Sequence, residues 1–74
     1  MVFSKHRHCV WKAAETIFSG NTAECLTATA IYDAAPDEIG KIGVLIEYMK
    51  KLESSGTDQA KVTLEYIRSV LSDT

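Results

Sequence analysis

Three strong helix breakers, Gly20, Pro36 and Gly56, divide the chain into four pieces, and each piece carries apolar residues at helical spacing. That punctuation restricts the fold to short α-helices joined by connections of a few residues, with little loop left for an active site. The reading is an all-α bundle of four helices, at about residues 4–19, 23–34, 37–54 and 58–71, forming one small helical domain.

The first segment has Ser4 as its N-cap and Gly20 in the left-handed position that ends a helix. Val10, Ala13, Ala14, Ile17 and Phe18 share one face, with Trp11 beside it. In the second, Asn21 and Glu24 have capping-box spacing, and Ala23, Leu26, Ala30, Ile31 and Ala34 line a stripe of mostly small residues. The third begins at Pro36–Asp37, with Asp37 and Glu38 suited to the positive end of the helix dipole. It has two adjacent stripes, Ile39, Ile42, Ile46 and Met49, and Leu45, Tyr48 and Leu52. Gly40 and Gly43 weaken this helix and suggest close approach by a neighbour. The fourth starts after Thr57, a good N-cap. It carries Ala60, Leu64, Ile67 and Leu71, widened by Val62, Tyr66 and Val70.

The last two segments are the most apolar, and an antiparallel hairpin of the two is expected to form the core. A 74-residue chain hides only about 60% of its unfolded surface on folding. The apolar face of segment three exceeds what one neighbour covers, so a symmetric homodimer is expected.

With 46% apolar and 24% charged residues, the chain is too apolar and too weakly charged for disorder. Its apolar runs are too short to span a membrane, and no long apolar stretch follows the basic start as in a secretory signal. Cys9 and Cys25 make no disulfide framework, which favours a cytoplasmic protein with reduced thiols. Charge is uneven: residues 1–14 hold Lys5, Arg7 and Lys12 and no acid, whereas the remainder has ten acids against five cations. A basic head on an acidic body marks an interaction arm.

Chemistry-bearing groups are sparse. His6, His8 and Cys9, with Cys25, would supply zinc or copper ligands in a metal or redox sensor. Residues two apart on a helix diverge, however, so His6 and His8 read as solvated first-turn residues. Cys25 falls in the first turn of segment two, where a helix dipole favours thiolate, although a small buried hydrophobe is the plainer role. No catalytic triad order, paired carboxylates or glycine-rich phosphate loop occurs, so a non-enzymatic protein without a cofactor is expected. Nucleic-acid binding through Lys5, Arg7, Lys12 and Trp11 is the alternative, but three cations on an otherwise acidic chain are a thin phosphate footprint.

The stretch LIEYMKKLESSGTDQAKVTLEYIRSVL, Leu45 to Leu71, resembles the helical hairpin of the small regulators called two-component connector proteins. The likeness covers about a third of the chain and consists of apolar spacing around a Leu-Glu pair and a polar turn. It implies a helical hairpin and transfers no residue role.

The leading expectation is therefore a small helical protein that regulates or inhibits a macromolecular partner, a protein in the first instance, by surface contact. Two surfaces are the candidates: the head at Lys5, Arg7, Trp11 and Lys12, and the stripe at Leu45, Tyr48 and Leu52.

Overall fold

Each helix ends where its local chemistry requires. A computed structural model describes residues 5–72 and places four helices there: α1 (Lys5–Ile17), α2 (Thr22–Ala34), α3 (Glu38–Ser55) and α4 (Asp58–Ser72). No strand occurs among the described residues. The proposed Ser4 cap lies outside them.

The α1 terminus is tighter than a lone Gly20 would make it. Ser19 takes the left-handed conformation, with φ 54°, and Gly20 follows at φ 81°. The Gly20 amide then donates back to the Glu15 carbonyl at 2.8 Å, the long-range bond of a Schellman motif. Gly20 thus sits one place beyond its expected seat, and a serine holds the strained one.

Asn21 caps α2, its side chain accepting from the Glu24 amide at 3.2 Å. The reciprocal half of the expected capping box is replaced, because the Asn21 amide donates to the Phe18 carbonyl. Asp37, rather than Pro36, is the boundary of α3, and its carboxylate accepts from the Gly40 amide at 2.7 Å. Gly56, at φ 66°, closes α3, and the Thr57 hydroxyl accepts from the Ala60 amide at 3.1 Å to open α4.

The packing centres on α1 rather than on the hairpin of segments three and four expected to form the core. Helix α1 packs against all three other helices, while α2 and α4 do not meet. Four α1 residues, Cys9, Val10, Ala13 and Ala14, are accordingly fully buried. Their small size permits the close approach that a central helix needs. Around them lie Cys25, Ala28 and Tyr32 of α2, Leu45, Tyr48 and Leu52 of α3, and Ala60, Leu64 and Ile67 of α4. Trp11, Ile17, Phe18, Val44, Met49, Val70 and Leu71 close the margins.

Helix α2 buries the face opposite to the one expected. Cys25, Ala28, Thr29 and Tyr32 point inward, and Ala23, Leu26, Ala30, Ile31 and Ala34 are exposed. Thr29 tolerates burial because its hydroxyl donates to the Cys25 and Leu26 carbonyls of its own helix. On the surface, Arg7 grips Asp33 in a bidentate pair, Nε to Oδ1 at 3.0 Å and Nη2 to Oδ2 at 3.1 Å. From α3, Lys41 Nζ reaches the Tyr32 and Asp33 carbonyls at 3.2 and 3.4 Å. Its charge thereby complements the negative end of α2.

Candidate functional site

The two surfaces expected from sequence fare differently. Leu45 and Leu52 are each 1% exposed and Tyr48 9%, so this stripe is core and offers a partner nothing. The correction has a clear cause. Helix α3 carries two apolar stripes, and the one containing Leu45, Tyr48 and Leu52 lies on the side from which Lys41 reaches the end of α2. The other is left outside except for Met49, which packs at the core margin: Ile39 is 84% exposed, Ile42 41% and Ile46 45%. Gly43 lies in this same exposed row, and a methyl group built on it would meet nothing within 4 Å. Gly40 differs, since its added methyl would press on the Asp37 carboxylate and Ala35 at 3.2 and 3.4 Å.

The basic head is partly neutralised. Arg7 is held by Asp33, and Lys12 Nζ lies 3.5 Å from Glu15 Oε1. The Arg7 hydrogen bonds draw Asp33 below the usual carboxylate range, and the bond to Asp33 raises Arg7. Lys5 is exposed, while Trp11 is half-buried against the core. The positive charge expected to meet phosphate is thus largely matched by carboxylates.

A feature that sequence reasoning missed lies along the α1–α4 seam. An open groove of about 600 Å³ is lined by Glu15, Thr16, Ser19, Asp58, Val62 and Thr63, among others. A second hollow of about 450 Å³ is bounded by Lys12, Val62, Thr63 and Tyr66. The Thr16 and Thr63 hydroxyls meet at 2.7 Å across the seam, and His8 stacks edge-on to Tyr66 with centroids 6.1 Å apart. Val62, 67% exposed, stands between the two hollows. Only the pairing of Val62 with Tyr66 at helical spacing could have hinted at it, and that pair read as a widened core face.

The cysteine and histidine cluster does not assemble as a ligand set. Among the described residues, no group of three or more histidine, cysteine, aspartate or glutamate side chains converges for a metal. Cys9 and Cys25 are buried free thiols. Burial raises the pKa of each, and for Cys25 the nearby Glu15 and Glu24 add to the effect. The dipole of α2 therefore does not make Cys25 a thiolate, because desolvation and two carboxylates oppose it. No helix among the described residues is long and apolar enough to cross a membrane.

Comparison with protein-family models, with curated proteins and with solved structures returns no match. The resemblance of residues 45–71 to a connector-protein hairpin accordingly gains no support from a family or a solved fold.

Proposed function

We propose that this chain is a non-enzymatic interaction protein that regulates or inhibits a protein partner by surface contact, and that it associates with itself as a homodimer in the cytoplasm. One observation carries the reading: a closed helical monomer with a full core still leaves Leu26, Ile31, Ile39, Ile42, Ile46, Val62 and Tyr66 outside. Grouped apolar residues on a surface mark places where other macromolecules bind, whereas scattered single ones need no explanation. Here Ile39, Ile42 and Ile46 fall in a row on α3 and Val62 with Tyr66 in a row on α4, while Leu26 and Ile31 flank the outer face of α2.

The homodimer uses the α3 row. The partner face is the α1–α4 seam, where Val62 and Tyr66 adjoin Lys12 and the basic head. The antiparallel pairing of α3 and α4 belongs to the same reading, because their link of Gly56 and Thr57 is too short for much else. Free, buried thiols suit a reducing compartment.

The test is capture of the partner from host extract with tagged protein, followed by its identification and rebinding in purified form. Val62→Asp and charge reversal of Lys5 and Lys12 should each lower that purified affinity without changing helicity, since all three positions lie outside the core. Equal affinity across these variants would remove the seam and head from the proposal. A chain that binds no macromolecule would remove the function.

A further inference from the structure

Gly43 is out of place on structural grounds. It sits mid-helix in α3, with open space where a side chain would be, so nothing among the described residues requires a glycine there. Glycine is the poorest helix former after proline, and alanine would fit the same backbone. Its neighbours on the face are Ile39, Ile42 and Ile46, three exposed apolar residues at spacings of three and four. An exposed glycine framed by branched apolar side chains is the arrangement that lets a second helix approach closely and pack against its backbone.

Charge selects the occupant. Glu38 lies at the start of α3 beside Ile39, and Lys50 continues the isoleucine row toward its end. Both are exposed, and neither takes part in an ion pair among the described residues. In an antiparallel crossing of two α3 helices, a residue some positions before the axis faces one the same distance after it. The midpoint of Glu38 and Lys50 is Val44, and that of Ile39 and Ile46 lies between Ile42 and Gly43. One twofold axis near Gly43 therefore matches acid with base twice and lays isoleucine rows against each other. A parallel crossing would set Lys50 against Lys50.

We infer that α3 docks a second copy of this chain in an antiparallel crossing centred on Gly43, with the Ile39, Ile42 and Ile46 rows interleaved and Glu38 of each copy facing Lys50 of the other. The inference rests on the self-association proposed above and gives it a surface and a direction. The interface is isologous, as closed dimers require.

Sedimentation velocity over a concentration series tests it, with circular dichroism confirming helicity. Ile42→Asp should weaken self-association at least about thirtyfold, as loss of a central apolar contact does. Gly43→Ala gives the sharper discrimination because its two effects oppose. In the Ile42→Asp background, where only the single chain is present, it should raise the melting temperature by roughly 4–8 °C. In the otherwise native chain it should weaken association about tenfold, since the added methyl obstructs the crossing. Glu38→Lys and Lys50→Glu should each weaken association a few-fold at low salt, and the two together should restore it.

A dimer indifferent to Ile42→Asp and Gly43→Ala, or charge variants without mutual rescue, would overturn the α3 crossing while leaving self-association standing. A chain at single-copy mass at every concentration would overturn both.

Discussion

At the scale of single residues, the informative positions are those where a side chain sits in an unusual place for a local reason. Ser19 holds a left-handed backbone that costs a residue with a Cβ about 1–2 kcal/mol. Asparagine tolerates that conformation better and does not loosen the unfolded chain as glycine does. Ser19→Asn should therefore stabilise the protein by about 0.5 kcal/mol, read as a rise in melting temperature of a few degrees. The Arg7–Asp33 pair makes a different prediction. Asp33 titrates below its usual range when folded, because Arg7 bonds the charged form. A depressed carboxylate contributes stability above its unfolded pKa and loses that contribution as pH falls through the folded value. The melting temperature should thus decline below about pH 4, and Asp33→Asn should flatten that decline while lowering the value at neutral pH. An unchanged acid limb in Asp33→Asn would show that the pair contributes nothing.

At the scale of elements, the boundaries were legible and the inward faces only partly so. Caps and breakers are local, so Asn21, Asp37, Gly56 and Thr57 could be read from their neighbours alone. Faces were legible in α1 and partly in α4: Val10, Ala13 and Ala14, and Ala60, Leu64 and Ile67, are buried as their spacing implies, whereas Val62 and Tyr66, read as widening the α4 face, are exposed. Helix α2 defeated the same logic because small and apolar residues surround it. Its spacing fits Ala23, Leu26 and Ala30 as well as Cys25, Ala28 and Tyr32. Which face turns inward is settled by the packing of α2 against α1 and α3, and the polar contacts of Arg7 with Asp33 and of Lys41 with the helix end accompany it. Helix α3 posed the same ambiguity with two greasy rows. The outcome predicts a contrast between an inward position of α3 and an outward position of α2. Leu52→Ala should cost about 2–5 kcal/mol through the cavity it leaves. That rivals the ~3–5 kcal/mol a core of this size supplies, so much of the variant should be unfolded at room temperature. Leu26→Ala, at a position 57% exposed, should change stability by less than about 0.5 kcal/mol. Urea melts of the two variants check the assignment of faces.

At the scale of the whole molecule, the organising fact is that α1 touches every other helix and that the apolar surplus lies on the outer helices. The candidate surfaces could not be located from sequence because exposure follows from which rows the core consumes, and that is settled only when all four helices are placed. Lys12 and Tyr66 illustrate this: far apart in the chain, they bound one hollow only because α4 lies along α1. The proposed self-association makes stability depend on amount. Between about 5 and 500 μM the melting temperature should climb by several degrees, since binding to the folded form stabilises it by mass action. A constant melting temperature over that range would count against a dimer.

The hydrogen bond between Thr16 and Thr63 joins residues 47 positions apart, across the seam between the opening and closing helices. During synthesis, α2 and α3 can cover their sides of α1 as they form, whereas the side of α1 that faces α4 stays unsatisfied until α4 has been made. Over that interval the seam side of α1 is open to other proteins, and the speed of translation through α2 and α3 sets how long the exposure lasts.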